Sequence, residues 1–260
     1  MNVEVIAPHG FCGGVERAVR MARTALADNQ PPIYCLHEIV HNESVVQGLT
    51  SNGMRFVEDI GDVPEGATML ISAHGTSPAI RQEADARHIR VIDATCPFVA
   101  AAHDRIRANH ANGKRTAIVG DPSHAEVRGY LGEPGACLPE DVKPGEVTGL
   151  VVQTTLDAGA HEGVCTATRD RQNAVKAFVM AHRGKANVGV VVVGSPKSAN
   201  TGRLAEIAER AGARVWRIGA TEDIKAFDFS GIDIIGVTSG ASTPENQFRS
   251  ALTGLMAARG

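Results

Sequence analysis

Aromatic side chains are scarce in this sequence, at 4 % with a single tryptophan. A protein that holds single-stranded nucleic acid needs aromatic platforms for the bases and a basic groove for the phosphates. The formal net charge is −3, so the basic groove is missing as well, and nothing draws the chain to an anionic membrane surface. Long apolar runs are lacking. No stretch reaches the roughly 20 residues that span a bilayer, and the start, MNVEVIAPHGFCGG, lacks the basic-then-apolar layout of a signal peptide. These absences predict a soluble, cytoplasmic protein with no nucleic-acid or membrane partner. Closely spaced CxxC pairs of the structural-zinc kind are absent too.

What the chain has is apolar material of small size. Hydrophobic residues make up 43 %, and short β-branched runs alternate with amphipathic stretches. Strands are predicted at 3–7, 33–36, 68–72, 115–119, 150–153, 188–193, 214–218 and 234–238. Helices are predicted at 15–27, 43–51, 79–87, 98–108, 169–182, 201–211 and 245–257. In the helix at 201–211, Leu204, Ile207, Ala208 and Ala211 recur at three- and four-residue steps and build one buried face. Strands alternating with helices predict an α/β protein with mostly parallel sheets and right-handed crossovers. We expect three small α/β lobes, at 1–96, 97–163 and 164–260. The Gly/Pro-rich stretch 132–149 reads as a surface excursion.

Five cysteines in a reducing compartment raise metal binding or thiolate chemistry before disulfides. Cys12, Cys96 and Cys165 each stand just before a predicted helix, where the helix N-terminus favours negative charge on sulfur. Three thiolates would leave one iron of a four-iron cluster with an open coordination position. Lone cysteines are more often small buried hydrophobes, which is the reading for Cys35 and Cys137.

Polar residues recur at predicted strand ends, where open α/β sheets form ligand crevices. His41 lies in EIVHNESV, His74 in ISAHGTSP and His124 in GDPSHAEV. With neighbouring Ser, Thr, Asn and Gly they suit a diphosphate cradle, as does the strand-to-helix turn GSPKSAN with Ser198 and Asn200. Ser242 sits at a second such turn. Glu126 follows His124 by two residues, and a carboxyl in a dry pocket holds its proton to higher pH and can donate it. Thr154, in VVQTTL, could hydrogen-bond a hydroxyl or relay a proton.

Taken in order, HGFCGGVERAV, LHEIVHNESVV, SAHGTSPAIRQEA, DATCPFV, HAEVRGYLG, QTTL, CTATRDRQNAV, GSPKSANTGRLAE and VTSGAS run along nearly the whole chain. This series resembles the LytB family, the 4-hydroxy-3-methylbut-2-enyl diphosphate reductases. The resemblance implies three lobes in pseudo-threefold arrangement around a central iron–sulfur site. It implies that Cys12, Cys96 and Cys165 hold a [4Fe–4S] cluster with one iron lacking a protein ligand. It further implies that His41, His74, His124, Ser198, Asn200 and Ser242 hold an allylic diphosphate. Glu126 and Thr154 would deliver protons, and ferredoxin or flavodoxin would supply electrons.

Three departures from the family pattern stand out. His9 occupies the place of a family arginine ahead of the first cysteine, and Ala199 replaces a serine. The span from Thr154 to Cys165 is short, as if a helix and a strand of the middle lobe were gone. Two alternatives follow: a paralogous reductase for another allylic alcohol or diphosphate, or a non-enzymatic iron–sulfur redox sensor.

Overall fold

The computed structural model describes residues 1–146 and 148–257; position 147, within the expected excursion at 132–149, and positions 258–260 lie outside them. In chain order the elements are β1 (Asn2–Val5), α1 (Gly13–Asp28), β2 (Ile33–Leu36), α2 (Glu43–Ser51), β3 (Met54–Val57), β4 (Thr68–Ile71), α3 (Pro78–Ala86), β5 (Arg90–Asp93) and α4 (Pro97–Ala111). They continue as β6 (Arg115–Val119), α5 (Ala125–Leu131), β7 (Ala136–Cys137), β8 (Thr148–Val152), α6 (Thr166–His182), β9 (Val188–Val193), α7 (Ala199–Ala211), β10 (Arg214–Ile218), β11 (Ile234–Ser239) and α8 (Glu245–Ala257). The α/β class expected from the alternation is what forms. Among the described residues, no helix is long and apolar enough to cross a membrane.

The chain divides into two compact units, residues 13–154 and residues 1–12 with 155–260. The first unit carries two parallel sheets, ordered β3-β2-β4-β5 and β7-β6-β8. The second carries one, ordered β1-β11-β9-β10 and also parallel. One rule builds all three. The first strand of each set (β2, β6, β9) lies in the middle, its successor pairs on one side and the next strand returns to pair on the other. Each sheet thus has a point where strand order reverses, between β2 and β4, β6 and β8, and β9 and β11. Loops leave such a point in opposite directions and open a crevice at the strands' carboxyl ends.

The sheets differ in their fourth member. In the first, β5 fills that place; in the second unit β1 fills it, pairing with β11 through Asn2↔Ile234 to Val5↔Val237. The N-terminal strand therefore belongs with strands more than 180 residues later, not with β2, its neighbour in sequence. The middle sheet has no fourth strand among the described residues, and residues 153–165 run through turns into α6. That is where the sequence is short.

Packing follows from the residue pattern. In β9 (VGVVVV) every residue is buried, as a central parallel strand covered on both faces requires. Val188, Val190 and Val192 pack with Val175, Val179 and Leu204 of α6 and α7. Val191 and Val193 point the other way, toward Trp216, Phe248 and Leu255. The middle sheet's core is smaller, built on Ile118, Val151, Val127, Tyr130, Val99 and Ile106.

Candidate active site

In unit 13–154 the expected residues stand at the carboxyl ends of the strands flanking the two reversal points. His41 follows β2, His74 follows β4, His124 and Glu126 follow β6, and Thr154 follows β8. The structure brings the three imidazoles together. Ring centroids are 4.6 Å apart for His41–His74, 5.2 Å for His41–His124 and 5.3 Å for His74–His124.

Hydrogen bonding assigns their protons. His124 is the N-cap of α5, and its Nδ1 accepts the Glu126 backbone N–H at 3.2 Å. An amide can only donate, so Nδ1 carries the lone pair and the neutral ring's proton sits on Nε2. That Nε2 faces His41 Nε2 at 3.3 Å. His41 accepts there and holds its own proton on Nδ1, 3.2 Å from Glu38 Oε2. His74 is held through Nδ1, 3.3 Å from Ser72 Oγ. Burial, and then the neighbouring His41 and His124, push the His74 pKa well below the ordinary imidazole value. Burial and His41 lower His124 to about 4. Both rings are therefore neutral at pH 7.

Three imidazoles with ligand atoms within 4.8 Å of one another are close enough for a metal ion. The cap argues against one: a cation at His124 Nε2 needs a lone pair there, while the amide bond at Nδ1 keeps a proton on it. The set offers N–H groups instead. An anion that enters between His41 and His124 meets the His124 Nε2–H donor.

Glu126 is 2 % exposed and has three donors. Oε1 accepts the Thr154 backbone N–H at 2.7 Å and the Tyr130 hydroxyl at 3.1 Å; Oε2 accepts the Thr154 hydroxyl at 2.9 Å. Burial raises the carboxyl pKa against the lowering effect of these three bonds. The result is a dry carboxyl that keeps a proton to higher pH than a surface glutamate. Cys96, in the same unit, is the N-cap of α4, with Pro97 at the first helical position and no side-chain capping bond on the thiol. The Thr95 carbonyl just before it is fixed by Arg17 at 2.9 Å.

In the second unit, Cys12 stands before α1 and its amide donates to the Ala241 carbonyl at 3.1 Å, beside Ser242. Cys165 is the N-cap of α6, its thiol 3.2 Å from the Thr168 hydroxyl. Thr168 also accepts from Asn200 Nδ2 at 3.1 Å, while Asn200 Oδ1 accepts the Ala241 amide at 3.1 Å. Ser198 caps α7 by accepting the Thr201 amide, and the Ser242 hydroxyl lies 3.4 Å from the Ser198 hydroxyl. Ser198, Asn200, Ser242, Cys12 and Cys165 are thus joined through a few short bonds around the β9/β11 reversal. Gly194 and Gly240 make room here: a Cβ at either would collide with the Thr201 hydroxyl.

The three half-exposed cysteines contrast with Cys35 and Cys137, which are buried as the sequence led us to expect. Burial drives the Cys35 thiol's pKa up, which makes it inert. A test of whether Cys12 and Cys165 suit a negatively charged iron–sulfur group comes from Arg171. It is 3 % exposed, its guanidinium donates to the Gly10 and Ala167 carbonyls at 2.9 and 3.1 Å, and its Nε is buried without a partner. Burial lowers its pKa, opposed by the nearby Cys12 and Cys165. No carboxylate among the described residues bridges it. A buried cation near two thiols has its charge balanced when those thiols are ionised, so Cys12 and Cys165 fit the group.

His9, ahead of Cys12, lies against α8. It stacks on Phe248 at 4.0 Å and bonds Glu245 at 3.1 Å, so its ring belongs to the packing of α8. Sequence reasoning missed Tyr130, Thr168, Arg171, Glu38 and Ser72. Tyr130 and Thr168 stand four and three residues after Glu126 and Cys165, the spacing that meets on a helix face.

A buried acid beside neutral imidazole donors, each at a strand's carboxyl end, is the equipment of an enzyme that works on an anionic small molecule. The sequence matches the LytB protein family over residues 3–162 and again over 145–256, and the chain belongs to that family. A relative from Methylibium petroleiphilum, a 4-hydroxy-3-methylbut-2-enyl diphosphate reductase, is 39 % identical over 98 % of this chain and 85 % of its own length. One of the same name from Pseudomonas syringae is 36 % identical over 99 % and 90 %. Among solved structures, the E-1-hydroxy-2-methyl-but-2-enyl-4-diphosphate reductase from Plasmodium falciparum superposes with a TM-score of 0.90 at 29 % identity, covering 97 % of this chain and 87 % of that one. The Methylibium alignment runs over 286 positions against 260 residues here, so at least 26 of them have no counterpart in this chain. The two family matches overlap at 145–162, the region where the middle sheet lacks its fourth strand.

Proposed function

We propose that the protein reduces 4-hydroxy-3-methylbut-2-enyl diphosphate to isopentenyl and dimethylallyl diphosphates, the last step of the methylerythritol phosphate route to isoprenoids. The observation that carries this reading is Glu126, buried and bonded to Thr154, beside the neutral rings of His74 and His124 in a chain of the LytB family. Two electrons and two protons remove the allylic hydroxyl as water.

His41, His74 and His124 hold the diphosphate, His124 through its Nε2–H, aided by Ser198, Asn200 and Ser242. Glu126 holds the proton to be delivered. Its Oε1 is already filled by an amide and a hydroxyl, so the proton resides on Oε2 and faces Thr154 Oγ1. The threonine hydroxyl accepts that proton and passes its own onward, a rotation of one C–O bond. Cys12, Cys96 and Cys165 would hold a [4Fe–4S] cluster with one iron lacking a protein ligand, which would supply electrons and Lewis acidity toward the substrate hydroxyl. Ferredoxin or flavodoxin is the electron donor, and the protein works in the cytoplasm. Each sheet with its helices forms one lobe, along 1–96, 97–163 and 164–260, with β1 given over to the third.

The missing fourth strand of the middle sheet favours one second reading, a reductase of the same chemistry acting on another allylic alcohol or diphosphate. Complementation separates the two. Growth of a bacterium depleted of its own reductase, on a plasmid carrying this chain, supports the first. Failure to grow, with reduction of a different allylic compound by the purified protein, overturns it.

A further inference from the structure

Tyr130 is one of the largest fully buried side chains in the protein, and its hydroxyl lies on the acid of the proposed proton path. It sits on α5 one turn after Glu126. Its ring is held edge-on by His103 of α4 at 4.9 Å, and His103 is fixed by Glu133 at 2.7 Å and through it by Arg107 at 2.6 Å. A tyrosine in a core of Val127, Ile118, Ile106 and Val99 would pack as well without its oxygen. The oxygen is used, because a buried hydroxyl needs a partner, and the partner is Glu126 Oε1.

We infer that Tyr130 is a positioning residue for proton delivery, whose hydroxyl occupies Glu126 Oε1 and so reserves Oε2, the oxygen facing Thr154, for the transferable proton. The geometry has only one outlet. The Thr154 amide, a donor that cannot reverse, takes one lone pair of Oε1 at 2.7 Å, and Tyr130 takes the other at 3.1 Å. Only Oε2 retains a lone pair against a group able to change from donor to acceptor, the Thr154 hydroxyl at 2.9 Å. Without the tyrosine hydroxyl, Oε1 regains a protonation site that points into the core, away from Thr154. The inference rests on Glu126 being the proton donor.

Tyr130 also sets the pH range of the acid, since a hydrogen bond favours the carboxylate it is donated to. The charged or titratable groups around α5 include Asp121 and His124 at its N-terminus, Arg128 on the helix itself, His103 and Arg107 on α4, and Glu133 just beyond its end. None of these hydrogen-bonds the Glu126 carboxylate, so its environment is dominated by burial, Thr154 and Tyr130.

The test uses Tyr130→Phe, which keeps the ring, and 3-fluorotyrosine at position 130, a stronger donor. Infrared difference spectra, with Glu126→Gln as the blank, follow the Glu126 carboxyl in the substrate-free protein. The alkaline limb of the kcat–pH profile follows it in the cluster-loaded enzyme. In Tyr130→Phe both move to higher pH by about one unit, the size expected of one hydrogen bond to a charged group; KM is unchanged, and fluorotyrosine moves both the other way. A carboxyl titration that stays at its wild-type position in a folded Tyr130→Phe protein overturns the inference. If no variant reduces the substrate, the proposed reaction fails, and the infrared shift still decides whether Tyr130 governs Glu126.

Discussion

Acid should loosen this fold through the histidine set before it touches most carboxylates. His124 carries an imidazole whose pKa is lowered from 6.5 to about 4 by burial and by His41. An unfolded chain takes its proton near 6.5, while the folded one resists until about 4. Stability contributed by the neutral ring is therefore full above pH 6.5 and is lost as pH falls toward 4. With 1.36 kcal/mol per pKa unit, the loss is about 2 kcal/mol at pH 5 and about 3 kcal/mol once pH 4 is passed. His74, lowered in the same direction, adds to it. For a protein of this size about 2 kcal/mol corresponds to roughly 4–8 °C in Tm. The perturbation is His124→Asn, because asparagine still caps α5 by accepting the Glu126 amide but cannot titrate. Apoprotein is melted at pH 7.5 and pH 5 in phosphate-free buffer. The wild type should lose about 4–8 °C more than the variant over that interval. Equal losses in the two proteins would refute the assignment of His124 as a partly buried neutral ring.

Three further outcomes follow from the same geometry. Inorganic diphosphate should bind the apoprotein at pH 7.5 and bind His124→Asn about tenfold more weakly, the size of one hydrogen bond to a charged group; calorimetry reads this, and equal affinity would count against the anion cradle. Glu126→Gln should leave KM and iron content near wild type while lowering kcat by about 10²–10⁴-fold, the usual range for a lost general acid; steady-state kinetics with an iron assay check both parts. Arg171→Met should hold less iron after reconstitution yet leave the apoprotein's Tm unchanged or raised, since an unpaired buried cation is costly by itself; unchanged iron content would separate Arg171 from the cluster.

Much of this site was legible in the sequence because its residues sit where a strand run stops. His41, His74, His124, Thr154, Ser198 and Ser242 each follow an apolar run by a few residues, and that placement survives in the structure. The helices at 43–51 and 245–257 form over the expected spans. The strands that escaped notice, β3, β5 and β7, all lie at sheet edges. Edge strands are half-exposed and short, so MRFV, RVID and AC carry no continuous apolar run. Helix α5 has seven residues with Gly129 inside it, too few for a period to show. The roles of Tyr130 and Thr168 went unseen for related reasons: each depends on helical spacing from a site residue, and α5 had not been recognised. Pairing of β1 with β11 is a choice made in three dimensions, since sequence neighbours usually pair and here they do not.

The central claim is the reaction, and anaerobic turnover tests it most directly. Cluster-reconstituted protein is mixed with 4-hydroxy-3-methylbut-2-enyl diphosphate and reduced viologen, and the products are separated. Viologen oxidation with both isopentenyl and dimethylallyl diphosphates formed is the predicted result. Protein that holds its iron and sulfide but leaves the substrate untouched would contradict it.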